Sequence, residues 1–267
     1  MSLLSKVIAR RKASKQKCFV AYLTAGDPDL AATPELVQSL LKGGADIIEL
    51  GIPFSDPLAD GPVNQRAAER ALVKGVSLTR IIAMIPSIKK LCPDTPLVIF
   101  SYMNPIYAMG FTHFAEQAAA AGVDGVLVVD LPPEESLEYR TILRNKGLDT
   151  IFLASPTSNS QRLALVDECS SGFVYYVSRT GVTGAQVNIS ESLQTELEAV
   201  RRNVKKPVMV GFGVSNAAQA REISAQADGV IVGSAIVKLI EDAASLVEAK
   251  ANLEHFATGI RQGLDQV

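Results

Sequence analysis

Residues 33–50 read T-P-E-L-V-Q-S-L-L-K-G-G-A-D-I-I-E-L, and this stretch contains one complete helix-then-strand unit. Its first part is amphipathic, with Pro34 at a plausible first helical turn and Gly43 and Gly44 where a helix would stop. The apolar run that follows Asp46 is typical of a buried strand. Because the run is almost continuously apolar, it predicts a strand covered on both faces, as in a parallel sheet.

The same alternation of helix-like stretches and short apolar runs extends from end to end of the chain and gives eight strand candidates. They are C-F-V-A-Y-L-T from Cys18, D-I-I-E-L from Asp46, P-L-V-I-F-S-Y from Pro96, D-G-V-L-V-V-D from Asp124, D-T-I-F-L-A-S from Asp149, G-F-V-Y-Y-V-S from Gly172, P-V-M-V-G-F from Pro207 and D-G-V-I-V-G from Asp228. Eight such units favour a closed barrel over an open doubly wound sheet. No linker divides the chain. We therefore predict an α/β fold, a single-domain (β/α)8 TIM barrel over residues 1–267 with an extra N-terminal helix.

Composition excludes several classes of function. A net charge of −2 offers no basic patch for nucleic acid or an anionic membrane. No run approaches the roughly 18 apolar residues of a membrane span, and the N-terminus lacks the order of a signal peptide. Three distant cysteines and two histidines form neither a disulfide framework nor a zinc-type spacing. We expect a cytoplasmic protein without a metal site, in which a carboxylate is the general base.

Residues 49–62 read E-L-G-I-P-F-S-D-P-L-A-D-G-P and place two carboxylates in unlike settings. Glu49 ends an apolar strand, where a charge is expensive unless it is paired or used. Asp60 lies on the loop that follows. Their pKa values can be pushed apart, which is what a division of acid–base work requires. The segment indicates proton transfer, although a structural ion pair for Glu49 and a turn or capping role for Asp60 remain alternatives.

Glycine-bearing loops follow the last three predicted strands. Gly211–Gly213 and Gly233-Ser234 come after strands 7 and 8, where barrels of this kind bind phosphate, and Gly181 and Gly184 come after strand 6. Glycine lets backbone amides approach an anion, and a helix N-terminus adds a favourable dipole. We predict a phosphate held mainly by amides, with ordinary turn chemistry as the alternative. The absence of G-x-G-x-x-G and of a P-loop argues against a dinucleotide or ATP.

Bulky side chains near the strand ends are candidates for a pocket lining. They are Tyr22, Phe100, Leu127, Val129, Leu153, Tyr175 and Phe212. Each one alone is better explained by packing inside the barrel. Taken with a phosphate corner and two carboxylates, they predict a flat, apolar substrate body attached to a phosphate tail.

Three motifs together resemble the tryptophan synthase alpha subunit family: the 49–62 segment, S-R-T-G-V-T-G after strand 6, and G-F-G-V-S with G-S-A-I-V-K. The similarity runs in order over nearly the whole chain. It implies retro-aldol cleavage of indole-3-glycerol phosphate to indole and D-glyceraldehyde 3-phosphate, in the last steps of L-tryptophan biosynthesis. Glu49 is then the shuttle that protonates indole C3 and deprotonates the glycerol hydroxyl. Asp60 is the carboxylate that stabilises positive charge at the indole N–H.

The resemblance also implies a set of substrate-binding residues. Tyr175 supports Glu49, Thr183 contacts Asp60, and the loops 53–62 and 179–189 close as lids. The whole set is Tyr22, Phe100, Leu127, Tyr175, Thr183, Gly184, Gly211, Phe212, Gly213, Ile231, Gly233 and Ser234.

The family works as a complex, so a partner is implied as well. A beta subunit carrying pyridoxal phosphate would receive indole in an alpha2-beta2 tetramer, and this chain would hold no cofactor of its own. Residues around Asp56 and the turn Asn104-Pro105-Ile106 would face that partner.

One position departs from the family pattern. Asn64 stands where a branched apolar residue is expected, and Tyr22 and Phe100 are larger or more polar than in some members. Two other functions remain open: another phosphate-barrel enzyme, such as a sugar-phosphate isomerase or an indole-glycerol-phosphate synthase, and a non-catalytic phosphate-ligand-binding regulator of a partner enzyme. A phosphate-barrel enzyme of the first kind needs a lysine or another acid pairing at the strand ends, and the sequence shows neither. The carboxylate pair argues against the second.

Overall fold

The strands of this protein form a closed barrel. The structure is a computed structural model that describes residues 2–177, 189–211 and 213–267. Eight parallel strands pair in sequence order, and the last pairs with the first. The strands are β1 Cys18–Thr24, β2 Ile47–Gly51, β3 Leu97–Ser101, β4 Gly125–Val128, β5 Asp149–Ala154, β6 Val174–Val177, β7 Val208–Gly211 and β8 Gly229–Val232. Every strand candidate from the sequence forms a strand, so the (β/α)8 prediction is confirmed.

Helices cover the outside of the barrel. They are α1 Leu3–Ala13, α2 Thr33–Lys42, α3 Pro62–Val73, α4 Leu78–Leu91, α5 Met103–Met109, α6 Phe111–Ala121, α7 Leu137–Asn145, α8 Ser160–Cys169, α9 Ile189–Asn203, α10 Ala217–Ser224, α11 Ser234–Asp242 and α12 Leu246–Leu264. In the described part of the chain, no single helix is long and apolar enough to cross a bilayer. Taken together, α3 and α4 are long and apolar enough, but the pair is bent by 96° at the break between the two helices.

The stretch 33–50 folds as its pattern predicts. α2 has Pro34 in its first turn and ends at Gly43, and its buried face carries Leu36, Val37 and Leu40. All seven residues of β1 and all five of β2 are buried. These strands are apolar on both sides because side chains fill the barrel within and helices cover it outside.

The N-terminal helix closes the amino-terminal end of the barrel. Leu4, Val7 and Ile8 of α1 are buried in one cluster with inward-facing strand residues such as Val20 and Ile47. We call this cluster, which also includes Leu127 and Ile231 and against which Phe100 and Tyr175 pack, the interior cluster. The prediction of an extra N-terminal helix is therefore confirmed. The opposite end of the barrel, where the strands have their carboxyl ends, is the end at which barrels of this kind carry their active site.

An ion-pair network joins two helices on one side of that end. Arg70 of α3 binds buried Asp27, in the loop after β1, through two hydrogen bonds of 2.9 and 2.8 Å. The same guanidinium reaches Glu241 of α11 at 2.8 Å, and Arg66 of α3 also binds Glu241. A bidentate arginine shared between two carboxylates fixes geometry better than an isolated surface pair. We call these contacts the α3–α11 clamp.

Candidate active site

Glu49 is a fully buried carboxyl on a rigid strand. It lies beside Tyr22 in the pairing of β1 with β2, and its exposed fraction is zero. Neither carboxyl oxygen has a hydrogen-bond partner in the described part of the chain. Burial raises the pKa of Glu49 to about 8, because the charged form loses its hydration without gaining a partner. At neutral pH the group is therefore a protonated acid.

Asp60 has a different environment. Tyr102 donates its hydroxyl to Asp60 Oδ2 at 2.8 Å, and Asn64 donates its amide to Asp60 Oδ1 at 3.4 Å. Partial burial raises the pKa of Asp60, and these two hydrogen bonds oppose that rise. Donors that point at a carboxylate stabilise its ionised form. The two carboxyl groups thus lie in unlike settings as the sequence indicates, although burial shifts both pKa values upward.

Tyr102 ties the loop after β2 to the end of β3. Its hydroxyl accepts the Ala59 N–H at 2.9 Å while donating to Asp60, and its ring lies 5.1 Å from that of Phe54. The amide of Gln65 further holds the Asp60 carbonyl at 2.9 Å. Sequence reasoning missed Tyr102. A tyrosine at the carboxyl end of an apolar strand needs a partner for its hydroxyl, and that requirement was the available signal.

Aromatic rings form one wall of the site. Tyr22 and Phe100 meet edge to face, with ring centroids 5.1 Å apart, and Phe100 lies beside Leu127 in the pairing of β3 with β4. Glycines make room for these rings. A Cβ atom on Gly51 would collide with the Tyr22 hydroxyl, and one on Gly211 would lie 2.8 Å from Cε1 of Tyr175.

The predicted lining residues mostly come together. Leu127 and Ile231 are buried in the interior cluster, against which Phe100, Val129, Leu153 and Tyr175 pack. No hydrogen bond joins Tyr175 to Glu49 in the described part of the chain. The charge of Glu49 does contribute, after burial, to raising the pKa of Tyr175. Support of Glu49 by Tyr175 therefore stays a prediction, as do the binding roles of the lining residues.

The expected phosphate corner has the backbone that an anion site requires. Gly211 lies beside Ile231 in the pairing of β7 with β8, and Gly213 has a φ of +69°, which L side chains rarely adopt. Gly233 precedes α11, and no described side chain caps that helix. The first-turn amides, beginning at Ser234, have no acceptor within the helix. Thr183, Gly184 and Phe212 lie outside the described residues, as does most of the 179–189 loop.

The residues expected to face a partner need one correction. Asp56 and Asn104 are exposed, but Ile106 is fully buried in the core. The prediction for Ile106 is wrong because the turn is part of α5, whose inward side carries Ile106. Leu58, 93% exposed, and Tyr107, 70% exposed, are large hydrophobic residues on the same two segments.

Within residues 2–177, 189–211 and 213–267, no group of three or more His, Cys, Asp or Glu side chains could hold a metal ion. Cys18, Cys92 and Cys169 are free thiols.

The buried acid makes stability depend on pH. Glu49 has a pKa of about 8 when folded, against an ordinary value of 4.5. Between these values the folded chain keeps a proton that the unfolded chain releases, so wild-type stability falls as pH rises, by roughly 1 kcal/mol per pH unit. We expect Glu49→Gln to be more stable than wild type by on the order of 3 kcal/mol at pH 7. Urea unfolding at pH 5, 6 and 7 measures the gain, and a gain that does not grow with pH would contradict the raised pKa.

A closed barrel with a buried acid and a second carboxylate at the carboxyl ends of its strands defines a class, the (β/α)8-barrel enzymes that work by acid–base chemistry. Comparison with known proteins narrows this class. The family model described as tryptophan synthase alpha chain matches residues 8–264. The tryptophan synthase alpha chain of Laribacter hongkongensis is 48% identical over 265 residues, which are 99% of this chain and 100% of the relative. That of Geobacter sulfurreducens is 50% identical over 241 residues, covering 90% and 91%.

Solved structures agree. The crystal structure of tryptophan synthase subunit alpha from Legionella pneumophila is 36% identical, with a TM-score of 0.94 and complete coverage of both chains. A chain in a crystal structure of tryptophan synthase from M. tuberculosis is 35% identical, with a TM-score of 0.87 and 98% coverage of both. The protein belongs to the tryptophan synthase alpha chain family, the lyases of tryptophan biosynthesis.

Proposed function

We propose that this chain cleaves indole-3-glycerol phosphate to indole and D-glyceraldehyde 3-phosphate, with Glu49 and Asp60 as its catalytic residues. The observation that carries the assignment of roles is the contrast between them. Glu49 is buried, unpaired and protonated at neutral pH, whereas Asp60 accepts hydrogen bonds on both carboxylate oxygens. One group is suited to give a proton and the other to carry a negative charge.

The reaction begins with proton transfer from Glu49 to indole C3. The ring nitrogen then carries the positive charge of an iminium, and the ring becomes an electron sink. A carboxyl with a pKa of about 8 is well matched to this step, because general acids work best when their pKa lies near the operating pH.

Asp60 stabilises the charge that develops on the ring. A carboxylate hydrogen-bonded to the indole N–H interacts more strongly with the iminium than with neutral indole, so it lowers the barrier rather than only binding the substrate. Its hydrogen bonds from Tyr102 and Asn64 favour the ionised form that this role requires.

Carbon–carbon cleavage completes the cycle. Glu49, now ionised, takes the proton from the glycerol hydroxyl next to C3, and that oxygen forms the aldehyde carbonyl. The electron pair of the breaking bond returns to the ring and neutralises the iminium. Indole leaves with the new hydrogen on C3, and Glu49 is protonated again. No oxidant or reductant is needed, so one carboxyl group near both atoms suffices.

The remaining residues bind the two ends of the substrate. Tyr22, Phe100, Leu127 and Tyr175 enclose the indole ring, together with Phe212 and Ile231. Gly211, Gly213, Gly233 and Ser234 hold the phosphate through backbone amides. The roles of Gly184 in phosphate binding and of Thr183 in contacting Asp60 are inferred from the family resemblance alone, because both residues lie outside the described part of the chain. The uncapped start of α11 supports this assignment, since a helix N-terminus with free amides favours an anion.

The alpha chain acts in a complex with a tryptophan synthase beta subunit, and we propose the alpha2-beta2 stoichiometry for it. The chain carries no cofactor, and pyridoxal phosphate belongs to the beta subunit. Exposed Leu58 and Tyr107 support a partner surface beside Asp56 and Asn104.

A cytoplasmic location is part of the proposal, because three free thiols suit a reducing compartment.

A direct assay tests the function. Purified chain is mixed with indole-3-glycerol phosphate, with and without the beta subunit, and indole is measured. We expect slow indole release from the chain alone and faster release with the partner. No indole in either mixture, with the phosphate ligand still bound, would instead support a non-catalytic phosphate-ligand-binding regulator.

A further inference from the structure

Asn64 lies in the first turn of α3 and contacts the catalytic loop. It is the position that departs from the branched apolar residue expected there, so its amide is a polar group added next to Asp60. Asn64 Nδ2 lies 3.4 Å from Asp60 Oδ1. No described side chain caps α3 at Gly61, so the asparagine side chain is not used to cap this helix.

Among the described residues, two donors bind Asp60, and they come from different parts of the barrel. Tyr102, after β3, binds Oδ2, and Asn64, on α3, binds Oδ1. A carboxylate held on both oxygens from two elements has one preferred orientation, whereas a single donor leaves it free to rotate. Because both contacts are donors, both favour the ionised carboxylate.

The contact of the Asn64 amide with Asp60 leaves the other end of the same amide without a hydrogen-bond partner in the described part of the chain. Its Oδ1 is buried and has no hydrogen-bond partner among the described residues, and a buried acceptor without a partner destabilises a fold. Turning the amide over would place Oδ1 against the carboxylate, which is repulsive. The orientation is thus dictated by Asp60, and an apolar residue would fit this position without an unpaired oxygen.

We propose that Asn64 is a positioning residue that holds the Asp60 carboxylate ionised and in one orientation for the reaction. This inference rests on the proposed function of Asp60. In the described part of the chain, the other titratable side chains that face Asp60 are Tyr22, Tyr102 and Tyr175. Burial raises the pKa of each above its ordinary value, so they stay neutral over the working range. Glu49 has a pKa of about 8, so its titration affects the alkaline limb of the pH profile and not the acidic limb.

The test compares wild type, Asn64→Leu and Gln65→Leu in the full chain. Leucine matches asparagine in size but donates no hydrogen bond. Gln65 is the matched control on the same helical turn, because it binds the backbone carbonyl of Asp60 and not its carboxylate. The measurements are kcat/KM for indole formation across pH, the Asp60 pKa from carboxyl carbon-13 NMR with Asp60→Asn for assignment, and the thermal midpoint.

We expect Asn64→Leu to move the acidic limb of kcat/KM and the NMR pKa of Asp60 upward by about 0.5 to 1 pH unit. Its thermal midpoint should equal or exceed that of wild type, since the unpaired oxygen is gone. Gln65→Leu should leave both pKa readings unchanged. The substrate phosphate titrates identically in all three proteins, so it does not affect the differences.

Two results would overturn the proposal: an Asp60 pKa in Asn64→Leu equal to that of wild type, or an equal shift in Gln65→Leu. A wild-type chain that forms no indole at any pH would refute the proposed function instead. The NMR titration then still shows whether Asn64 acts on Asp60, because it needs no turnover.

Discussion

Glu49→Gln is expected to lower indole formation by about 10⁴-fold, the upper end of what one acid–base group contributes. The effect is this large because, in the proposed mechanism, a single carboxyl makes both proton transfers. Glutamine fills the same space and is neutral, as protonated Glu49 is at neutral pH, so the site should still form and bind a non-cleavable indole phosphate analogue. Steady-state indole release and analogue affinity are the two measurements.

The matched control is Asp149→Asn, the same change of acid to amide at the opposite end of the barrel. Asp149 is also buried, begins β5 and binds Ser171. We expect that variant to lose stability but to keep kcat per folded molecule. Turnover retained in Glu49→Gln would remove Glu49 from the proton-transfer role. Loss of analogue binding together with turnover would mean that the substitution had disrupted the pocket rather than the chemistry.

Asp60→Asn is expected to lower kcat by about 10³-fold, comparable to the loss of one preorganised electrostatic group in other enzymes. An amide keeps the shape of the side chain but cannot offer a negative charge to the iminium. Because that charge exists only on the way to cleavage, kcat should fall much more than substrate binding.

Asp56→Asn is the control within the same loop, since Asp56 is exposed and its side chain contacts Ser55. For the isolated chain it should leave kcat within about twofold of wild type, because exposed charges screened by water contribute little. Equal losses in Asp56→Asn and Asp60→Asn would point to a disturbed loop. A rise in KM alone in Asp60→Asn would contradict transition-state stabilisation.

The fold could be predicted because each element carries its own pattern. Short apolar runs alternating with helix-like stretches identified all eight strands, and Glu49 stood out as a charge inside such a run. The contacts of Asp60 could not be predicted in this way. Tyr102 is 42 residues away along the chain, and the parallel pairing of β2 with β3 brings the end of β3 beside the loop after β2.

Ile106 and Asn64 show the same limit at shorter range. The family resemblance put Ile106 on a turn that faces a partner, whereas α5 buries one of its sides. Asn64 was visible only as a departure from a pattern. Its amide gained a role when the start of α3 brought it next to Asp60. Local patterns determine elements, while side-chain partners depend on how elements are arranged.

The α3–α11 clamp has a consequence for substrate length. Asp60 immediately precedes α3, the proposed phosphate amides begin α11, and Arg70 and Arg66 bind Glu241 between the two helices. The clamp therefore fixes the start of α3, where the loop that carries Asp60 ends, relative to the amides proposed to hold the phosphate. If Asp60 and these amides bind the two ends of the substrate as proposed, we expect homologues with one carbon more or less in the side chain to bind more weakly, because only the loop can move to compensate for the change in length.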